Sequence, residues 1–427
     1  MSPRRCVTSV RLVAPLPVAL LGLLAACTGD GESTESDPTP PVVTPTNEVA
    51  RINDGTLRIG VLAPGSGEGA AIGRSLIDAA TRAVDEINAA GGSPRGQQVE
   101  LFVEDEGTSS ASATEAIDAL LDADVDAVVG PTSSTLALGT LDDLLGGGAL
   151  ACSPTATSLA LDEYPGSDLF FRTVPSDTLQ AAAIATLAEQ TGARTAAVAY
   201  LDDTYGRPLA EATIASLEFR QLAVQARIPF AVDDESIIAA ATQLVGDAVG
   251  VIVVIGDGDS GTRLLAALGD TAGQFPDQQI PDVIVNDAMR RPSSPQLLKA
   301  LPAALREQVQ GVAPLARAQQ PAEPIGPFAT NAYDCVNLIA LAAVQSGTDD
   351  PVEMGARMVE VSAIGVACAE FASCVELLDD NRNIDYEGPG GVVQIGPNGD
   401  AQRARFEVFE FDENGIDRPL RPLPINA

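Results

Sequence analysis

The sequence contains no histidine and no tryptophan, and its only lysine is Lys299. The lack of histidine removes the commonest general base and the commonest metal ligand. Lysine and arginine number 25 against 59 acidic residues, so the formal net charge is −34. A field of that sign repels nucleic acids and anionic lipid surfaces, and no EF-hand spacing is present. We therefore expect no nucleic-acid partner, no metal and no other cofactor.

The first 55 residues have the composition of an export signal followed by a tether. An apolar stretch over residues 12–24 is too short for a transmembrane helix and ends in Leu-Ala-Ala-Cys at Cys27. This pattern resembles a bacterial lipobox and predicts a lipoprotein signal peptide over residues 1–26 with a lipid on Cys27. The alternative is ordinary signal cleavage beside a chance cysteine. Residues 27–55 are rich in Gly, Ser, Thr, Pro and acids, which predicts a disordered tether at the extracytoplasmic face of a bacterial cell membrane.

From residue 56 onward, short apolar runs alternate with helical patterns, which is typical of parallel strands joined by crossover helices. The first series starts with LRIGVLAP and a helix predicted over residues 70–90, and the second runs from about residue 195 to residue 313. Each series is long enough for one doubly wound domain. The predicted fold class is therefore α/β, with two doubly wound parallel-sheet lobes. Near the end, alternating residues with two Asn-Gly pairs predict hairpins.

Two turns rich in hydroxyl groups fall at the carboxyl ends of neighbouring predicted strands. The first turn contains Ser133 and Ser134, and the second contains Thr155 and Thr157. Ligands of open α/β sheets bind at this edge, where hydroxyls and free N–H groups at a helix start suit a small carboxylate. The alternative is that these residues only cap helices and form turns. Composition and pattern leave both interpretations open.

Nine motifs follow one another along nearly the whole chain beyond residue 56. They are IGVLAPGSG, AVDEINAAGG, VELFVEDE, VDAVVGPTSS, CSPTATS, FRTVPSD, DDTYGRPLAEA, NAYDCVNLIALA and GGVVQIGPNGDA. In this order they resemble the periplasmic solute-binding proteins of ABC importers for branched-chain amino acids, which have the type I fold and are of the Leu/Ile/Val-binding type. The resemblance implies two lobes joined by a hinge of three crossings, which close on an amino acid. It places lobe 1 at residues 56–175 plus 313–402 and lobe 2 at residues 176–312 plus 403–427.

The resemblance also implies roles for residues of the two turns. Ser134, in GPTSS, is expected to bind the α-carboxylate of the ligand, with Ser133 beside it. Thr157, in SPTATS, is expected to bind the same carboxylate through its hydroxyl and its N–H. Thr155 is expected to offer its carbonyl to the α-ammonium.

Three further residues complete the expected site. Tyr205, in DDTYG, is expected to reach the ligand from the second lobe on closure. Asp287, after the strand in VIVN, takes the acidic place that pairs with the ammonium; the alternative is a helix cap before Ala288. Ile72 lies where the family often has an aromatic side chain lining the side-chain pocket.

One segment departs from the family pattern. Where an aromatic residue often follows the strand glycine, this chain has Gly258 between Asp257 and Asp259. Gly258 offers no stacking surface, and the two carboxylates are expected to repel an α-carboxylate or to attract a cationic group. The departure bears on ligand specificity and leaves the class of protein unchanged.

The cysteines are expected to have structural roles. Cys368 and Cys374 lie six positions apart in an exported protein and are predicted to form a disulfide. Cys152 on a buried strand and Cys335 on an apolar helix are predicted to be inert core thiols. A thiol enzyme needs a base, and the sequence has no histidine to supply one.

These observations predict a membrane-tethered solute-binding protein rather than an enzyme. It would deliver an amino acid, branched-chain or related, to an ABC permease and ATPase, and it would be a monomer. Two alternatives keep the same fold: a binder of urea, a short amide or another small polar ligand, and a ligand-sensing surface lipoprotein with no importer. An extracytoplasmic enzyme is disfavoured because no Ser–base pair, metal cluster or nucleophile elbow is recognisable.

Overall fold

The computed structural model describes most of the chain beyond residue 52. The described residues are 53–66, 69–162, 164–165, 168–246, 248–274, 280–290, 295–314, 326–391 and 394–426. The predicted signal peptide, the lipidation site at Cys27 and nearly all of the predicted tether lie outside them. None of the helices in these ranges combines the length and apolar character needed to cross a membrane.

The described chain alternates between strands and helices as the sequence predicts. In chain order the strands are β1 (Arg58–Ala63), β2 (Glu100–Asp105), β3 (Ala127–Val129), β4 (Leu150–Ser153), β5 (Phe170–Arg172), β6 (Thr195–Leu201), β7 (Ala223–Phe230), β8 (Val251–Ile255), β9 (Asp282–Val285), β10 (Val309–Pro314), β11 (Val366–Cys368), β12 (Ile384–Tyr386), β13 (Arg403–Phe411) and β14 (Asp417–Asn426). The helices are α1 (Ala70–Ala89), α2 (Ser110–Asp122), α3 (Ser134–Gly146), α4 (Asp177–Gln190), α5 (Gly206–Phe219), α6 (Asp234–Gly246), α7 (Ser260–Ala272), α8 (Pro295–Ala300), α9 (Ala303–Arg306), α10 (Ala329–Ser346), α11 (Pro351–Ala363) and α12 (Phe371–Asp379).

The first sheet has five parallel strands in the order β2-β1-β3-β4-β5. Its inner strands are apolar on both sides, because helices cover both faces of a parallel sheet. Along β3, Ala127 and Val129 belong to one apolar cluster while Val128 belongs to the other. The first of these clusters also contains residues of α1, α10, α11 and α12. The core of the first lobe therefore joins distant parts of the chain.

The second sheet has seven strands in the order β14-β13-β10-β9-β8-β6-β7. At one edge this sheet is antiparallel, since β13 runs antiparallel to both β10 and β14. β13 and β14 form one of the predicted hairpins. Its turn is closed by the Asp412 carboxylate, which accepts the N–H groups of Asn414 at 2.8 Å and Ile416 at 3.0 Å, and by Gly415 at φ +76°. A small parallel pair, β11 with β12, was not predicted.

The chain passes between the two sheets three times. It leaves the first sheet after β5, leaves the second after β10 and returns to the second at β13; the middle passage includes residues outside the described ranges. Side-chain contacts tie the passages together: Thr173 donates to the carbonyl of Asn331 at 2.9 Å, and the Asn331 amide donates to the carbonyl of Thr173 at 2.9 Å. Two α/β lobes with three crossings are confirmed as the fold class. The lobe boundaries given by residue number remain predictions.

Two disulfides are present in the described part of the chain. Cys368–Cys374 is confirmed, with its Cα atoms 5.4 Å apart. The prediction that Cys152 and Cys335 are inert thiols is wrong, because they are bonded to each other with their Cα atoms 5.8 Å apart. The two cysteines are 183 positions apart in sequence. Only the packing of α10 against β4 brings them together.

Candidate functional site

The two hydroxyl-rich turns meet at the carboxyl edge of the first sheet. The Ser134 Oγ accepts the backbone N–H of Ser158 at 3.1 Å, and the Thr155 hydroxyl donates to the carbonyl of Thr132. The turns after β3 and β4 are thus joined by two hydrogen bonds. The two turns lie side by side because β3 and β4 are adjacent and parallel, as the sequence predicts.

The hydroxyl of Ser133 caps a helix, which is the alternative role considered for these residues. It is the N-cap of α3, and its Oγ accepts the N–H of Leu136 at 3.0 Å. The first-turn N–H groups of α3 point out of the end of the helix beside it. Ser133 therefore fixes the start of the helix, while Ser134 holds the neighbouring turn.

A buried arginine that sequence reasoning did not select fixes the second turn from behind. Arg172 is fully buried and donates to the carbonyls of Ala156 at 3.3 Å and Ser158 at 3.0 Å. It also forms ion pairs of 2.6 Å with Asp162 and Asp400. Burial opposes its charge, but these carboxylates leave the pKa of Arg172 above its ordinary value. The turn that carries Thr157 is therefore held in a fixed shape.

Thr157 is in direct contact with an acidic residue of the first crossing. Its hydroxyl lies 3.3 Å from Oδ2 of Asp177, and its carbonyl accepts the N–H of Asp177 at 2.9 Å. Asp177 is only 1% exposed and is the first residue of α4, directly after the N-cap Ser176. Among the described residues, no acceptor satisfies the backbone N–H of Thr157.

From Asp177 a chain of hydrogen bonds continues into the second lobe. The Gln180 Nε2 donates to Oδ1 of Asp177 at 3.2 Å, and the Gln180 Oε1 accepts the N–H of Asp287 at 3.1 Å. The Tyr205 hydroxyl donates to Oδ1 of Asp287 at 3.3 Å and accepts from Nδ2 of Asn286 at 3.1 Å. The structure therefore connects three residues predicted for the site, Thr157, Asp287 and Tyr205, in one polar network.

The network contains two carboxyl groups in a poorly solvated place. Burial, and then the charge of Asp287, raise the pKa of Asp177 well above its ordinary value. Burial also raises the pKa of Asp287, against the hydrogen bonds from Gln180 and Tyr205. Burial and the two carboxylates raise the pKa of the Tyr205 phenol. Such a pair favours a cationic partner, since a positive charge would relieve the repulsion.

The structure places the remaining predicted residues as follows. Ile72 lies near the start of α1, half-buried against the first-lobe core. Asp257 Oδ1 accepts the N–H groups of Asp259 at 3.0 Å and Ser260 at 2.6 Å, at the start of α7. Asp259 lies 3.5 Å from Arg263 in an ion pair. The two carboxylates that flank Gly258 thus make their contacts at the start of α7. These contacts argue against a direct action on a ligand.

Sequence reasoning missed Arg172, Asp177, Gln180 and Asn286. Asp177 is the first residue of α4, directly after its cap Ser176. A signal was available, since Asp177 and Gln180 are three positions apart on α4 and share one helix face. The contact of Asp177 with Thr157 depends on the path of the crossing, which no local pattern encodes.

Two lobes that meet at this polar network define the class of solute-binding proteins that close around a small ligand. Residues 56–290, more than half of the chain, match the family described as periplasmic binding protein. The chain belongs to this family of extracytoplasmic solute-binding proteins. The resemblance drawn from the nine motifs, with its type I fold, is confirmed.

Named relatives agree with this assignment. The chain is 26% identical over 352 residues to the chemotactic signal transduction system substrate-binding protein BasB of Halobacterium salinarum, covering 79% of this chain and 83% of the relative. It is 30% identical over 218 residues to the Leu/Ile/Val-binding protein BraC3 of Rhizobium johnstonii, covering 51% and 59%. The structure of the branched-chain amino acid transporter substrate-binding protein LivJ of Streptococcus pneumoniae, in complex with isoleucine, superposes with a TM-score of 0.62 at 21% identity, covering 87% and 100%. The last match shows the same fold.

Proposed function

We propose that this protein captures an amino acid, branched-chain or related, between its lobes and delivers it to an ABC importer. The observation that carries the proposal is the network from Thr157 through Asp177 and Gln180 to Asp287 and Tyr205. It sets hydrogen-bond donors of one lobe beside carboxylates of the other. Donors and carboxylates at opposite ends of one site complement an α-amino acid, which carries a carboxylate and an ammonium.

The carboxylate end of the proposed site is built on the first lobe. Its donors are the Thr157 N–H, the hydroxyls of Ser134 and Thr157, and the first-turn N–H groups of α3. These groups need no cationic side chain to hold an anion, because N–H groups at a helix start carry a partial positive charge. The rigid support from Arg172 keeps the second turn in register with the first.

The ammonium end is built around Asp287. The Thr155 carbonyl would accept one hydrogen of the ammonium and the Asp287 carboxylate another, while Tyr205 covers the ligand from the second lobe. Desolvation strengthens an ion pair of this kind. Ile72 and the small residue Gly258 are proposed to border the side-chain pocket, where they leave room for an aliphatic group.

Isothermal titration calorimetry on the purified protein tests the proposal. Leucine, isoleucine and valine are titrated first, followed by the other amino acids, urea and short amides. Binding heat with one group of amino acids is expected. The absence of heat with every compound, together with no shift in the thermal unfolding midpoint, would refute the proposal.

The variant Asp287→Asn separates the two candidate ligand classes. Removal of the charge should weaken α-amino acids much more than uncharged amides, because only the former carry the ammonium that pairs with Asp287. The affinities of both classes for the variant are compared with wild type by the same titration. Equal losses would show that Asp287 is structural, which is the helix-cap alternative.

A second candidate function is a ligand-sensing lipoprotein without an importer. The similarity to BasB, a substrate-binding protein of chemotactic signal transduction, favours it. Deletion of the gene followed by uptake of radiolabelled ligand distinguishes the two. Loss of uptake supports an importer partner, whereas unchanged uptake with a lost behavioural or transcriptional response supports sensing.

We further propose that Cys27 carries a lipid and that residues 27–55 hold a monomeric binding domain off the membrane. We assign no catalytic step to this domain. Cys27→Ala should move the protein from the membrane fraction to the soluble fraction, and metabolic labelling with a palmitate analogue should disappear. Membrane association that survives this change would contradict the lipid anchor.

A further inference from the structure

We propose that Asp177 is a positioning residue that carries a proton when the ligand binds and donates it to the Thr157 oxygen, so that the Thr157 hydroxyl donates to the ligand carboxylate. The inference rests on the proposed amino-acid site and assigns the protonation state of one side chain in it, Asp177. It concerns a residue that touches Thr157 and acts on the ligand through it.

The first argument is a count of hydrogens. A threonine hydroxyl has one proton to donate, and an ionised carboxylate can only accept. While Asp177 is ionised, the Thr157 proton is committed to Oδ2 of Asp177, 3.3 Å away. The Thr157 oxygen would then offer a ligand carboxylate nothing but lone pairs. A proton on Asp177 reverses this bond and frees the hydroxyl.

The second argument fixes which oxygen of Asp177 carries the proton. The Oε1 of Gln180 accepts the N–H of Asp287, so the amide is oriented with Nε2 toward Asp177. That Nε2 donates to Oδ1 at 3.2 Å. Oδ1 is therefore an acceptor, and the remaining oxygen, Oδ2, is the one that faces Thr157.

The third argument is a count of charges around Asp177. Asp287 and Tyr205 face it from the second lobe, and Asp162 and Arg172 from the first. Arg172, the one cation that acts on Asp177 among the described residues, is already paired with both Asp162 and Asp400. A ligand carboxylate on Thr157 would add a negative charge next to Asp177, while the ammonium of the same ligand would pair with Asp287. Burial and then the charge of Asp287 raise the pKa of Asp177, which is the direction that favours a proton on this group.

A rival arrangement makes the opposite prediction. If the ligand places an ammonium or an amide N–H on the Thr157 oxygen, Asp177 is ionised in the complex. Binding would then strengthen as pH rises through the Asp177 pKa, and loss of the carboxylate charge would weaken it.

The test uses Asp177→Asn, whose amide can donate to Thr157 and accept from Gln180 as the protonated acid does, but cannot titrate. The affinity for leucine is measured by calorimetry from about pH 5 to about pH 9 in wild type and variant. The ratio of the two affinities cancels the titration of the ligand itself. We expect near-equal affinities at low pH and a wild-type affinity that falls toward tenfold per pH unit, relative to the variant, above the Asp177 pKa.

Two further variants tie the effect to Thr157. Asp177→Leu neither donates to Thr157 nor accepts its proton, so the ratio of its affinity to that of Asp177→Asn should not change with pH. In a Thr157→Val background, Asp177→Asn should no longer change the pH profile. Near-ultraviolet circular dichroism and the thermal midpoint verify that each variant is folded.

The results separate the inference from the proposed function. A pH-independent ratio, or an Asp177→Asn variant that binds leucine more than tenfold more weakly at low pH, overturns the inference while leaving the amino-acid site intact. If wild type binds no amino acid at any pH, the proposed function fails and the inference fails with it.

Discussion

The hydroxyl groups of the two turns act in different ways although they look alike in sequence. That of Ser133 is used locally, in a helix cap, and that of Thr155 donates across to the carbonyl of Thr132 in the other turn. Those of Ser134 and Thr157 reach other segments, the first to Ser158 and the second to Asp177. Thr157 is thus the hydroxyl that links the second turn of the first lobe directly to Asp177, one of the two carboxyl groups of the network.

At the scale of the residue, we predict that Thr157→Val weakens ligand binding by about 1.5–3 kcal/mol, the usual worth of a hydrogen bond to a charged group. Valine keeps the shape of the side chain and removes only the hydroxyl. Calorimetry with the best-binding amino acid measures the loss. Thr242→Val is the matched control, because that hydroxyl is exposed on α6 and donates to the carbonyl of Ile238 within its own helix. Wild-type affinity in Thr157→Val would refute the assignment.

Residues whose position follows directly from strand order could be predicted from the sequence. Ser134 and Thr157 come directly after neighbouring strands, and the structure joins their turns. Asp177 and Arg172 could not be selected in this way. Their contacts depend on how β5 leaves the sheet and how the segment near Asp400 returns beside it, which is a property of tertiary packing.

At the scale of the element, α10 is the helix on which the first lobe depends. It is apolar on nearly every side and is buried over most of its length, from Ala329 to Ala343. A helix with no polar face must be enclosed, and α1 and α11 pack against it. The disulfide from Cys335 then attaches α10 to β4, the strand that leads into the second hydroxyl-rich turn.

The two disulfides should differ in their contribution to stability. Loop-closure entropy predicts about 5 kcal/mol for Cys152–Cys335, which spans 183 positions, and about 2 kcal/mol for Cys368–Cys374, which spans 6. We therefore expect the double variant Cys152→Ala with Cys335→Ala to lower the urea midpoint more than Cys368→Ala with Cys374→Ala. Each variant is measured with and without reductant. A larger loss for the short-range pair would contradict the prediction.

Most elements could be predicted because their patterns are local. The helix expected over residues 70–90 is observed as Ala70–Ala89. The hairpin of β13 and β14 was predicted from its turn, but neither its pairing with β10 nor the pairing of Cys152 with Cys335 was predicted. Both depend on which segments meet in space, and a single sequence does not record that.

At the scale of the whole molecule, carboxyl groups with raised pKa values make stability depend on pH. Among the described residues burial raises the pKa of five: Glu106, Asp177, Asp287, Asp385 and Asp400. The folded state therefore binds protons more tightly than the unfolded state, so the free energy of unfolding falls as pH rises through these raised pKa values. Their stabilising contribution is complete below the unfolded pKa.

We predict a higher urea midpoint near pH 5 than near pH 8. Exposed acids with lowered pKa, such as Asp54 at about 2, give stability that is lost only in stronger acid. The net charge of −34 acts in the same direction as the buried groups. Measurement at about 0.5 M salt screens the net-charge effect and leaves that of the buried groups. A midpoint that rises from pH 5 to pH 8 at high salt would contradict the prediction.

The three passages between the sheets also affect when each core can form during synthesis. The first core includes residues as late as Ile395, and the second includes Phe411 and Ile425. One face of the first sheet is packed by residues no later than Phe170, but its other face and the second lobe need segments that emerge near the end of synthesis. Long-range contacts of this kind fold slowly and leave apolar surface exposed meanwhile. We therefore expect the second lobe, whose core needs residues up to Ile425, to be completed after the first.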